Sequence, residues 1–97
     1  MSAEVLIGDI YVDETYYRIG SPTSTIRFKR TSIPGRALCE LMDSEETPIA
    51  IQALVKRLEV NNLSKALQGL SDEVNASSSV YNLVRNYEQN TWVLRRR

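Results

Sequence analysis

Through the first thirty residues, apolar and polar positions alternate with the period of two that a half-buried strand requires. Leu6, Gly8, Ile10 and Val12 interleave with Ile7, Asp9, Tyr11 and Asp13, and Gly8-Asp9 is a point where one long strand can break into two. Asp13-Glu14 reads as a turn, and Thr15 to Ile19 holds the aromatic and β-branched residues that strands favour. Gly20-Ser21-Pro22-Thr23-Ser24 is a loop by composition. Thr25 to Arg30 alternates again, with Ile26 and Phe28 inward and Arg27 and Lys29 outward. Residues 1–30 are therefore expected to form an antiparallel meander with one wet face.

After Ser32 the spacing becomes helical. Ser32 followed by Pro34 marks a helix start, and Ala37, Leu38, Leu41 and Met42 form its apolar stripe. Thr47-Pro48 reads as a second start, a cap residue followed by proline, ahead of Ile51, Leu54, Val55 and Leu58 at i, i+3, i+4 and i+7. Leu63, Ala66, Leu67 and Leu70 repeat the spacing behind an Asn62 cap, and a polar break is expected from Ser71 to Ser79. Val80, Leu83, Val84 and Tyr87 give the pattern again, which predicts a helix over 79–89 that ends at a left-handed Asn90. Thr91 to Leu94 reads as a closing strand. The expected fold class is α+β in one domain, 1–97: a β-meander (1–30), a helical part (33–90), then a short C-terminal strand and basic tail (91–97).

Composition narrows the chemistry. The 97 residues include 12 basic and 12 acidic side chains, one cysteine and no histidine. A histidine-based zinc site and any imidazole-dependent general-base scheme are excluded, and Cys39 alone cannot supply a thiolate cage. Cys39 beside the first apolar stripe reads as an inert thiol. Adjacent Glu45 and Glu46 make a poor acid–base pair and read as solvated charges before the Thr47 cap. The four scattered glycines match no phosphate-loop spacing. The expectation is a non-enzyme with neither metal nor cofactor. The Met1-Ser2-Ala3-Glu4 opening lacks a basic region followed by an apolar run, and no stretch approaches the roughly 18 apolar residues of a spanning helix. A cytoplasmic location without membrane contact is expected.

Charge is balanced in total but not along the chain. Arg27, Lys29, Arg30 and Arg36 lie in an acid-free stretch, whereas Glu40, Asp43, Glu45 and Glu46 lie in a base-free one. Arg95, Arg96 and Arg97 close the sequence. On a helix over 79–89, Ser78, Asn82, Arg85 and Gln89 share one face, with Asn86 beside them. Asn and Gln can bond adenine in bidentate fashion, as Arg does guanine. A short helix, a polar turn, a longer helix and an arginine-ended strand make a helix-turn-helix with a wing. In that arrangement the second helix enters the major groove, and the arginines touch phosphates.

The runs Ile7-Gly8-Asp9-Ile10-Tyr11-Val12-Asp13, Tyr17-Arg18-Ile19, Ile26-Arg27-Phe28 and Leu38-Cys39-Glu40-Leu41 resemble the OmpR-type winged-helix output domain. Val80 to Arg85 then sits where that family's recognition helix would be. The resemblance implies a stand-alone DNA-binding transcriptional regulator acting on double-stranded DNA. Its base-facing set would be Asn82, Arg85, Asn86 and Gln89, with Ser78 on the same face and Arg95 to Arg97 on phosphates. The alternative is a peptide- or protein-binding adaptor on the same scaffold, similar to leader-peptide-recognition domains, with Tyr11, Tyr16, Tyr17 and Phe28 lining a groove at the sheet. A viral or mobile-element accessory protein is a further alternative. A homodimer stays open, since a winged helix binds singly or as tandem copies.

Overall fold

The first alternating run does break at Gly8-Asp9, giving β1 (Val5–Ile7) and β2 (Ile10–Val12) in a computed structural model that describes residues 5–97. The Met1–Glu4 opening, weighed above for a targeting segment, lies outside the described residues. Gly8 turns the chain with φ of 61°, and a Cβ there would stand 2.5 Å from Cε2 of Tyr81, so both conformation and space require glycine. At the next turn the Asp13 carboxylate accepts from the N–H groups of Thr15 and Tyr16, each at 2.7 Å. This side-chain mimic of a backbone turn leads into β3 (Tyr16–Ile19), and β4 (Arg27–Lys29) completes a four-stranded antiparallel sheet in chain order. Register pairs Ile10 with Ile19 and Tyr17 with Phe28, which puts these four on the inner face. Arg27 and Lys29 are exposed, as the alternation required.

Helix α1 (Ile33–Asp43) starts where Ser32 and Pro34 place it. The Ser32 hydroxyl donates to the Lys29 carbonyl at 2.6 Å and accepts from the Gly35 N–H at 3.2 Å. Ala37, Leu38 and Leu41 are fully buried. Each buried leucine of this kind contributes about 1.5 to 3 kcal/mol through removal from water.

Thr47-Pro48 does not open a helix. The chain instead forms a two-residue strand, β5 (Ile49–Ala50), and α2 (Ile51–Leu58) follows with no side-chain cap. Ile49 is buried opposite Trp92, and the Ile51 N–H donates to the Asn90 carbonyl at 3.0 Å. A strand pairing thus satisfies the helix end that a threonine was expected to cap.

Helix α3 (Leu63–Ser77) runs through the expected polar break. Val74 lies eleven residues after Leu63 and is fully buried with Leu67 and Leu70, while Ser71 is buried beside them. The stripe therefore continues where polar composition suggested a loop. Asn62 occupies the cap position in a left-handed conformation without a side-chain hydrogen bond to the helix.

The expected helix over 79–89 is a strand. β6 (Tyr81–Asn86) and β7 (Thr91–Arg96) form an antiparallel hairpin, and β5 joins it in the order β5-β7-β6. Val80, Leu83, Val84 and Tyr87 fit helical spacing, but Tyr81 and Leu83 fit an alternation of two, and those are the buried residues. Tyr87, assigned to the apolar stripe, is 74% exposed at the hairpin tip. Asn90 is left-handed as expected (φ 54°), yet it turns a hairpin rather than ending a helix. The molecule is thus α+β: the described residues form an N-terminal meander, three helices and a second sheet containing the C-terminal strand. Both sheets and all three helices contribute to one apolar core.

Candidate nucleic-acid interface

The hairpin distributes the eight residues read from the sequence over different environments. Side chains paired across an antiparallel ladder share a face. Asn82 lies opposite Arg95 and Asn86 opposite Thr91, so Asn82, Asn86 and Arg95 share one side of the hairpin. Arg85 lies opposite Trp92 on the other side, with its guanidinium carbon 4.7 Å from the Tyr87 ring centre and 5.7 Å from that of Trp92. It also donates to Asn90 Oδ1 at 3.0 Å. The Asn86 side chain accepts from the N–H groups of Glu88 and Gln89 at 3.0 and 3.2 Å, so it builds the hairpin turn. Gln89 is exposed in that turn. Ser78 is buried between α3 and β6 and donates to Asp9. A single base-reading helical face containing Ser78, Asn82, Arg85 and Gln89 does not exist, because these residues lie on a turn, a strand and a hairpin loop.

The arginine tail is largely committed inside the molecule. Arg96 Nε lies 2.8 Å from Glu45 Oε1, and its guanidinium stacks 5.3 Å from the Tyr81 ring centre. Its backbone N–H donates to Glu46 Oε1 at 2.7 Å, and Arg95 pairs with Glu46 at 3.8 Å. Glu45 and Glu46 therefore do not precede a helix: the more buried Glu45 and the half-exposed Glu46 both engage the last strand. Arg97 donates to the carbonyls of Ser78, Tyr81 and Asn75 at 3.2, 3.1 and 2.6 Å. Asn75 belongs to the last turn of α3, so Arg97 places its charge at the negative end of that helix dipole. Burial, and then the Glu45 carboxylate, push the Tyr81 hydroxyl above its ordinary pKa, partly offset by Arg96.

Packed against β6 is α3, a helix that the sequence pattern predicts over 63–70 but without its continuation to Ser77 or its exposed polar face. Ser64, Lys65, Gln68, Gly69, Asp72 and Glu73 are all exposed along it. Gln68 lies one helical turn from both Ser64 and Asp72, and its amide donates to Asp72 Oδ1 at 3.2 Å. A Cβ added at Gly69 would meet nothing within 4 Å, so this stretch of helix is open to close approach. Exposed Lys56 and Arg57 stand in the last turn of α2, four residues of connection before α3. The signal for this helix was the recurrence of Val74 on the stripe of Leu63, Leu67 and Leu70. The hairpin signal was the alternation of Tyr81 with Leu83 and of Trp92 with Leu94.

The sheet residues proposed to line a peptide groove also separate. Tyr17 is buried in the core and Phe28 packs against it. Tyr16 is held on the outer face between Arg18 and Arg27, whose guanidinium carbons lie 5.1 and 4.7 Å from its ring centre. Tyr11, opposite Arg18, is half-buried. Among the described residues no cluster of three or more His, Cys, Asp or Glu side chains is placed to hold a metal. No helix among them is long and apolar enough to cross a membrane. Comparison with protein-family models, curated proteins and solved structures found no match.

Proposed function

We propose that this chain is a non-enzymatic winged-helix module, of the OmpR type that its strands and first helix resemble, and that it binds double-stranded DNA as a transcriptional regulator. The observation that carries the reading is the succession α2, a four-residue connection, α3 and the β6–β7 hairpin, which is the helix-turn-helix and wing order. In this reading α3, rather than residues 79–89, enters the major groove. Gln68 bonds an adenine edge, Lys65 reaches a guanine or a phosphate, and Lys56 and Arg57 hold the adjacent backbone. Arg95 and Asn82 present the accessible side of the wing. The missing side chain at Gly69 allows a close approach of the helix to the groove wall.

Fluorescence anisotropy with a mixed-sequence duplex at a series of salt concentrations tests the proposal. Affinity is expected to fall steeply with salt, and Lys65→Ala to lower the slope of that plot by about 1. Absence of binding at low salt would remove the DNA reading. A second reading, a protein-binding module, is favoured by two observations. The exposed α3 surface carries Asp72 and Glu73 two turns beyond Lys65, which disfavours phosphate, and the outer strand β1 exposes Val5 and Leu6 at 52% and 55%. An extended peptide could add to that edge. Its mark would be peptide-dependent protection of the β1 amides from exchange, together with no affinity for DNA.

A further inference from the structure

A cleft of about 410 Å³ opens where the β2–β3 turn, the start of α1 and the end of α2 meet. Its walls carry three guanidinium groups, Arg30, Arg36 and Arg57, against two carboxylates, Glu14 and Glu40. Two of the arginines are fixed by neutral partners. Arg30 donates to the Asp13 carbonyl at 2.9 Å, and Arg36 donates to the Leu58 carbonyl at 3.0 Å. These bonds orient each guanidinium without cancelling its charge, and each group retains further N–H donors. Arg57 meets Glu40 at 3.4 Å, with more than half of its side chain exposed, so that pair is weak and readily exchanged. Arg30 also lies 5.6 Å from the ring centre of Tyr17, and the Tyr17 ring and Leu58 supply apolar wall.

We propose that this cleft binds a small organic molecule through a single carboxylate group. The formal balance of three positive and two negative groups leaves one positive charge to neutralise, which suits one carboxylate better than a polyanion. A guanidinium presents paired N–H groups that match the two oxygens of a carboxylate. The volume lies within the range of small-molecule sites, and the Tyr17 and Leu58 surfaces accept an apolar body beside the charged end. Burial and the neighbouring Cys39 thiol hold the Tyr17 hydroxyl above its ordinary pKa, so it stays protonated and can donate. The cleft includes no residue of α3 or the hairpin and shares only Arg57 with the proposed DNA contacts, so Arg30→Gln tests it apart from that reading.

The carboxylate can belong to a free acid or to the C-terminus of a peptide. Titrations of the labelled protein with benzoate, benzamide and a trileucine peptide, free or amidated at its C-terminus, follow backbone amide shifts. Saturable shifts confined to the cleft are expected with benzoate or with the free peptide, and the tighter of the two identifies the source. Arg57→Gln and Arg30→Gln, checked for unchanged spectra elsewhere, should each weaken binding about tenfold or more. The proposal is overturned if benzamide or the amidated peptide binds as well as its charged counterpart. It is equally overturned if both variants bind like the parent, or if neither acid saturates the cleft at a concentration on the order of 10 mM.

Discussion

The Asp9 carboxylate receives the Ser78 hydroxyl at 2.7 Å across 69 positions of sequence. Its second oxygen accepts the Ser79 N–H at 2.8 Å, so one side chain ties the first turn of the N-terminal sheet to the junction of α3 with β6. Replacing it leaves the proton of the buried Ser78 hydroxyl without an acceptor, although the oxygen still accepts the Tyr81 N–H at 2.8 Å. Asp9→Ala should cost about 1.5 to 3 kcal/mol, since hydrogen bonds to a charged group are the stronger kind. Asp9→Asn should recover part of the loss. Urea unfolding of the three proteins measures both.

Two glycines should respond to alanine with opposite signs. Gly8 has a positive φ and faces the Tyr81 ring, so Gly8→Ala should destabilise by at least about 1 to 2 kcal/mol. Gly69 lies inside α3 with open space around it, so Gly69→Ala should stabilise by about 0.5 to 1 kcal/mol. Thermal unfolding would show one melting temperature falling and the other rising. If α3 enters a DNA groove, the second variant should nevertheless bind DNA less well.

The tail arginines should separate stability from binding. Arg95 and its partner Glu46 are both more than half exposed, so Arg95→Ala should change stability by less than about 0.5 kcal/mol. Arg96→Ala removes the Glu45 pair and the stack on Tyr81 together, and a loss of about 0.5 to 1.5 kcal/mol is expected. Repeating the denaturation at high salt should shrink the ionic part of the second effect.

Acid and alkaline limits follow from three side chains. The N–H groups of Tyr16 and Thr15, helped by Arg18, hold the Asp13 carboxyl below its ordinary value of 3.8. A depressed folded pKa means that its contribution is complete above 3.8 and is lost as pH falls through the lower folded value. Asp13→Asn should therefore flatten the stability curve below that pH. Tyr17 and Tyr81 are raised above 10.0, chiefly by burial, so the folded state keeps their protons longer than the unfolded chain does. Stability is undiminished by them below pH 10.0 and declines as pH rises toward and through the folded values. Unfolding followed by circular dichroism across both limits tests the two signs.

Local chemistry was legible in the sequence wherever a residue acts on its near neighbours. Ser32 capping Gly35, the break at Gly8-Asp9 and the left-handed Asn90 all belong to this class. Residues 79–89 misled because Val80, Leu83, Val84 and Tyr87 satisfy a helical period while Tyr81, Leu83, Trp92 and Leu94 satisfy a strand period. Pairing with β7 decides between the two, and the decision is tertiary. Polar composition over 71–79 hid the buried face of α3, where Ser71 is small enough to pack between Leu67 and Val74. The candidate interface was less legible still. The basic tail is basic as read, but the acids that occupy it lie 50 positions away, as in the Arg96 N–H to Glu46 bond. No local pattern in the tail announces that pairing.

Strand β5, only two residues long, has a mechanical consequence. Ile49 and Ala50 pair with Trp92 and Thr91, and the next amide, at the start of α2, bonds the Asn90 carbonyl in the hairpin tip. The start of α2 is therefore tied through backbone hydrogen bonds to the hairpin tip. Were a ligand to touch both, this tie would lower the cost of ordering that junction on binding.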